Sequence, residues 1–367
     1  MSEKLQIAVT TLIISFVLLV HNGQEPLFLF ALAALPFLLF FVWRKRSLWP
    51  LAFYILIVGA LGRYTRYFRE GYMSDVLPAI RDYIGYFLSG KNVYREIIMA
   101  ASGPTPFTYL PFALLWYLPA RLIGVDLRFM EMIVASLVPL VYFLYGRLKK
   151  TWDHLPMVAV LALTPFLLDL SADGSNDNSA IFLLLVALVL FFYSQLRKNK
   201  VSAVASAIVL ACFAMFKHYS VFFLMFFLPY LTTVKSFPIR IRSYAMIFFI
   251  VCLMIVVPGI IASPAGFWRS LVFIERTNFH PVWGWNIWVA LKVGWGVSVS
   301  RNIMWMVRTV GTLVVTGILI LLRPWKSFQT VCLATVISLL TYLVFSEWTT
   351  YAYFSYLIPI FALAIFP

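Results

Sequence analysis

Apolar residues in this chain come in uninterrupted runs of about 15–20, the length that a ~30 Å hydrocarbon core requires of a helix, separated by short polar punctuation. The runs predict helical spans over 5–20, 26–43, 48–62, 129–146, 157–170, 180–194, 201–216, 219–233, 243–262, 303–322, 328–346 and 352–367. Two stretches need a separate argument. Read as one helix, Val201 to Val234 would be roughly 50 Å long, too long for a single crossing, so two short crossings turn near Phe216-Lys217-His218-Tyr219. The stretch 106–124, "PFTYLPFALLWYLPARLIG", holds Pro106, Pro111 and Pro119 and carries Arg121 near its end. It is expected to lie along the outer membrane surface rather than to cross.

Composition agrees with the pattern. Hydrophobic residues make up 63% of the 367 positions and charged ones 12%, against about 25% in soluble domains. The mean hydropathy is +0.92. The expected fold is an all-α integral membrane protein of about 12 transmembrane helices with extracytoplasmic juxtamembrane helices. It forms a single polytopic domain over 1–367, with an N-terminal helical hairpin at 1–47, a module at 48–235 and C-terminal helices at 236–367. The first span is expected to stay in place, because "HNGQEPLF" offers no small-residue cleavage site. The net charge of +15 falls in short clusters between spans, such as Arg44-Lys45-Arg46, Arg147/Lys149/Lys150 and Arg197-Lys198. That is the positive-inside signature of a membrane protein and argues against a nucleic-acid partner. With those clusters inside, every carboxylate except Glu3 and Asp153 faces outward, as do the two long loops, 63–128 and 263–302. The working face is therefore expected to be extracytoplasmic. Cys212, Cys252 and Cys332 lie in apolar runs at no paired spacing and read as small core residues.

Four polar constellations punctuate that face. The first loop opens with Arg63, Arg66, Arg69 and Glu70, and Asp75 precedes an amphipathic stripe from Val76 to Phe87. Asp75 suits either a helix N-cap or a general base at the membrane surface, where forked arginine donors suit a phosphate. Asp82, on the stripe, is within helical reach of Arg81 and sequence reach of Lys91, which points to an ion pair. The turn "DLSADGSNDNSA" carries Asp173 and Asp177, either a polar turn capping the next span or ligands for a sugar or metal. One Asp pair with an Asn does not define a metal site, so a divalent cation stays open. Lys217 stands beside hydrocarbon with His218 and Tyr219, and either snorkels or meets a phosphate. The loop "FIERTNFHPVWGWNIWVALKVGWG" is dense in tryptophan, Trp285 among them, which anchors at interfaces and also stacks on sugar rings. Glu347 in "SEWTTYAY", with Arg301 and Arg308 as partners, is a weaker signal of the same kind.

The order of these pieces is similar to that in GT-C glycosyltransferases, specifically the polyprenyl-phosphate-mannose-dependent glycosyltransferase family 87. An acidic first loop is followed by "SGKNVY", "TYLPFALLWYLPARLIG", the turn "DGSNDNS" and "MFKHYSVFFLMFFLPYL", across residues 48–235. The resemblance implies a membrane glycosyltransferase, a hexosyltransferase that moves a sugar such as mannose from a polyprenyl-phosphate donor to a lipid, glycan or protein acceptor. It implies Asp75 as the catalytic base, with Glu70 and Asp82 competing for that role. Lys217, Arg66, Arg69 and His218 would hold the donor phosphate, and Asp82, Tyr94, Asp173, Asp177, Tyr219 and Trp285 would meet substrate. The enzyme would sit in the plasma membrane with its site outside. A lipid-phosphate donor needs no nucleotide cradle, and the chain has no Gly-rich phosphate loop. The rival reading is a multispan transporter or a flippase for lipid-linked sugars, which would place ionisable residues near the span centres.

Overall fold

The computed structural model describes residues 3–20, 26–45, 47–100, 103–276 and 282–365. Helices dominate it. The first three are α1 (Glu3–Val20), α2 (Pro26–Lys45) and α3 (Trp49–Arg69). The polar loop and its amphipathic pieces follow as α4 (Val76–Leu88), the hairpin β1 (Ile97–Ala100) and β2 (Gly103–Pro106), and α5 (Pro111–Leu122). Then come α6 (Leu127–Leu148), α7 (Leu155–Leu163), α8 (Pro165–Asp169), α9 (Asp177–Arg197), α10 (Lys200–Ala214) and α11 (Ser220–Leu231). The chain continues as α12 (Ile241–Ala262), α13 (Pro264–Arg276), β3 (Trp283–Gly284), α14 (Ile287–Trp295), α15 (Arg301–Leu321), α16 (Phe328–Val344), β4 (Trp348–Thr349) and α17 (Phe354–Ile365). β1 and β2 pair antiparallel, and the two-residue strands β3 and β4 pair parallel.

Among the described residues, five helices are long and apolar enough to cross a membrane: Pro26–Arg44, Leu127–Leu148, Asp177–Arg197, Ile241–Ala262 and Arg301–Leu321. Leu5–Leu18, Lys200–Ala214, Ser220–Leu231, Phe328–Val344 and Tyr351–Ile365 are shorter and equally apolar. The turn expected inside 201–234 is present, since α10 ends at Ala214 and α11 starts at Ser220.

Two expectations change. The span predicted at 157–170 is broken into α7 and α8 at Thr164-Pro165. Pro165 has no N–H for the Leu161 carbonyl, and Thr164 ahead of it takes ψ 125 rather than a helical value. Arg63, expected in the outer loop, fills the gap. It lies on α3, is 2% exposed, and donates to the carbonyls of Leu161 and Ala162 at 2.7 Å each. Gly59 makes this joint close, because a Cβ there would sit 2.6 Å from the Ala162 carbonyl oxygen. Arg66 and Arg69 also belong to the last turns of α3, not to a loop.

The bundle has two chemically different ends. At one, Gln6 donates to Asp153 at 2.6 Å, Trp49 meets Trp152 edge-on, Lys198 donates to the Ser236 carbonyl and Thr233 to that of Trp325. The described basic residues at 147–150, 197–200, 235–242 and 323–326 therefore gather there. At the other, Tyr72 donates to Asp126, Met73 N–H to the Asp173 carbonyl, Phe112 N–H to that of Met215 and Trp285 N–H to that of Thr349. Glu70, Asp75, Asp169, Asp173, Asp177 and Glu347 belong to these segments. Both ends of α5 lie here too: Thr108 and Tyr109 before it border the same cavity as Asp75, and Asp126 after it meets Tyr72. The segment thus starts and finishes at one end of the bundle.

Candidate functional site

A cavity of about 700 Å³ opens among the loops of the carboxylate-rich end. Asp75, Asp173, Asp177 and Glu347 border it, and so do Lys217, His218 and Arg301. Tyr83, Tyr109 and Tyr353 supply phenols to its wall.

The turn 170–176 between α8 and α9 fixes the position of Asp75. Gly174 has φ +92, and a side chain there would run into the Tyr72 ring at 2.7 Å and the Ser74 carbonyl at 3.0 Å. The turn can therefore lie flat against the segment ahead of α4. Met73 and Ser74 N–H groups both donate to the Asp173 carbonyl, at 2.8 and 2.7 Å, and Leu77 N–H donates to that of Gly174 at 3.0 Å. Asp75 is bracketed by these bonds. Its side chain makes no capping bond to α4, so the helix-cap account of this residue is not the one adopted. Behind the turn, Arg128 is 9% exposed and donates to the carbonyls of Glu70, Ala172 and Tyr67. Its guanidinium lies 4.9 and 4.8 Å from the Tyr67 and Tyr72 ring centres. The sequence reading passed over Arg128. Its signal was position, two residues after the helix-capping Asp126 whose carboxylate accepts from the Arg128 N–H.

Lys217 is not an open cation. Its ammonium donates to Asp177 Oδ1 at 2.7 Å, with side-chain exposures of 9% and 4%, and the Tyr219 hydroxyl donates to the same oxygen at 2.5 Å. Asp177 is the first residue of α9 rather than its cap. The pair explains how an ammonium is accommodated between two apolar helices. His218, next in the chain, is exposed and borders the cavity.

Burial pushes the Asp173 carboxyl up to about 6, against the opposing pull of the Ser175 N–H bond and the neighbouring Ser175 hydroxyl, while the nearby Asp177 charge raises it further and Lys217 lowers it. The Tyr109 phenol is pushed well above its ordinary value, by burial first and then by the Asp75 and Asp177 carboxylates. It remains protonated.

The other expected site residues lie apart from the cavity. Arg66 bridges Asp169 at 3.2 Å and Glu70 at 3.1 Å, so neither it nor Glu70 is open to a substrate from this cavity. Arg69 is exposed beyond it. Asp82 pairs with Arg81 on the exposed face of α4. Tyr94 is 3% exposed, packs on Phe107 and Phe267, and lies 2.9 Å from where a Cβ on Gly259 would stand. It is a packing residue between the first loop and α12. Trp285 is 69% exposed and borders a separate open groove along α14. His280 falls outside the described residues. Among the described residues no group of three or more His, Cys, Asp or Glu side chains is placed to hold a metal ion, and the ammonium of Lys217 already occupies Asp177. Set against known protein families, characterised proteins and solved structures, the chain matches none of them.

Proposed function

We propose that this chain is a membrane glycosyltransferase that takes a sugar such as mannose from a polyprenyl-phosphate donor at the extracytoplasmic face of the plasma membrane. The observation that carries the reading is the meeting of Asp75 with His218 and Arg301 on one cavity, at the end of the bundle where carboxylates gather. Asp75 accepts the proton of the acceptor hydroxyl as that oxygen attacks the anomeric carbon. The bond from that carbon to the phosphate oxygen breaks, and polyprenyl phosphate departs with both electrons of the bond. His218 keeps the phosphate-binding role that the resemblance implied for it, Arg301 joins it in place of Lys217, Arg66 and Arg69, and the two stabilise the developing charge. In this scheme about twelve crossings, made by the five long helices and by shorter ones beside them, carry the site.

Proteoliposomes holding the purified protein and radiolabelled polyprenyl-phosphate mannose test the reading. Label should pass to a lipid, glycan or protein acceptor. Asp75→Asn, which keeps the shape and removes the basicity, should lower the rate about 10²–10⁴-fold. Transfer that survives Asp75→Asn but fails in Glu70→Gln or Asp82→Asn moves the base elsewhere. Movement of the labelled lipid between leaflets without transfer establishes the transporter or flippase alternative.

A further inference from the structure

The turn 173–176 buries more hydrogen-bonding capacity than the protein uses. Ser175 is 2% exposed and borders the cavity, yet its hydroxyl has no hydrogen-bond partner. Asn176 is fully buried, and neither end of its carboxamide is bonded. Asp173 is 4% exposed and accepts the Ser175 N–H through Oδ1 at 2.7 Å. The Ser175 hydroxyl lies beside this carboxyl without the alignment of a hydrogen bond. Leaving a buried hydroxyl unbonded is unfavourable, so such a group on a cavity wall is suited to a ligand that supplies the missing partner.

We propose that Asp173 and Ser175 form a subsite that reads a hydroxyl group, or a vicinal pair, on the sugar being transferred. The inference rests on the glycosyl-transfer reading and adds to it the residues that select the sugar. Adjacent acceptor and donor groups on one side of a turn match the two functions of a sugar hydroxyl, which donates to the carboxyl and accepts from the serine. A cation is a poorer occupant, since Asp177 at the end of the turn is already neutralised by Lys217. The backbone bonds from residues 73, 74 and 77 hold this turn against the Asp75 segment, so the hydroxyl-reading pair and the base keep a fixed relation.

A polyprenyl-phosphate mannose and its monodeoxy analogues, each lacking one ring hydroxyl, supply the test. The wild-type protein should use one of the deoxy donors, or two neighbouring ones, about 10–100-fold less efficiently than the parent in kcat/KM, because a buried polar site rejects a donor that leaves it unpaired. Ser175→Ala should lower kcat/KM for the parent by a similar factor and leave the value for that deoxy donor nearly unchanged, erasing the discrimination. Asp173→Asn should reduce the same ratio. Because the ratio is taken within one variant, differences in folding or yield cancel. Equal loss for all donors, or unchanged discrimination, overturns the subsite while leaving transfer intact. No transfer by the wild-type protein from any of these donors overturns the functional reading, and the subsite falls with it.

Discussion

Lys217 and Asp177 show how one pair of residues answers a question that the sequence poses and does not resolve. A lysine at the turn between two apolar helices reads equally well as a snorkelling cation or a phosphate ligand, because its partner lies 40 positions away on α9. With both side chains buried, removing one leaves the other a buried charge without its counter-charge. Lys217→Met should therefore destabilise the folded protein by about 3–5 kcal/mol, and the double change with Asp177→Asn should recover most of that loss. Thermal unfolding of the four proteins in detergent, read as a double-mutant cycle, checks this. Independent, additive effects would break the pairing argument. Asp173 sets a pH dependence of its own. Its carboxyl is held at about 6 against an ordinary 3.8. The folded chain thus binds this proton more tightly than the unfolded chain does. The stability linked to it is complete below about pH 4 and is lost as pH rises through about 6. Asp173→Asn mimics the protonated acid, so it should stabilise the protein by about 1–3 kcal/mol at pH 7.5, with the gap narrowing towards pH 4. A gap independent of pH would contradict that assignment. Such a gain would come with the loss of sugar discrimination argued above, as expected where a site stores unfavourable burial.

At the scale of elements, apolar runs and prolines were legible, and the joints between elements were not. The amphipathic α4 starts where its stripe begins, at Val76, and the α10–α11 turn falls where run length demanded it. The break at Thr164-Pro165 carried its own signal in Pro165, yet a run apolar on both sides of a proline still reads as one span. Arg63 was invisible as its remedy, because the carbonyls it satisfies lie 98 and 99 residues away. The same limit hid the clasp between the 70–77 segment and the 170–176 turn. Sequence gives the acidic residues on each side and nothing of the backbone bonds that join them. Gly174 is the residue on which that clasp turns. Gly174→Ala forces a side chain into φ +92 and into the Tyr72 ring. The substitution costs about 1–2 kcal/mol in backbone strain alone, and it shifts the segment that carries Asp75. Because misplacement by about 1 Å can cost 10²-fold in rate, transfer should fall by about that factor while the protein remains folded. Full activity in Gly174→Ala would mean that Asp75 is positioned by something other than this turn.

At the scale of the whole molecule, the two ends of the bundle differ in chemistry, and each must face one side of the membrane. Hydrogen bonds and ring contacts sort the segments into two sets: 6, 49, 152–153, 198, 233–236 and 325 at one end, and 72–75, 108–112, 126, 172–177, 215, 285 and 347–349 at the other. The sequence reached the same partition from basic clusters alone, because loop charge and crossing parity are local properties. Prolines and crossing parity also kept α5 at that end, and the contacts on either side of it place both its ends there. In the proposed reading the basic end lies in the cytoplasm and the cavity outside, the arrangement that the positive-inside rule favours. Single cysteines at exposed positions, in a background with Cys212, Cys252 and Cys332 replaced, test this directly. Ser89→Cys, ahead of α5, and Arg121→Cys, in its last turn, lie on the cavity end, and Lys149→Cys and Ser236→Cys lie on the basic end. An impermeant maleimide added to intact cells should label the first two and leave the others unlabelled until the membrane is opened. Labelling of Ser89→Cys without Arg121→Cys would make α5 a crossing and invert every later helix. Labelling of only the basic pair would place the cavity in the cytoplasm, where a donor presented in the outer leaflet cannot reach Asp75.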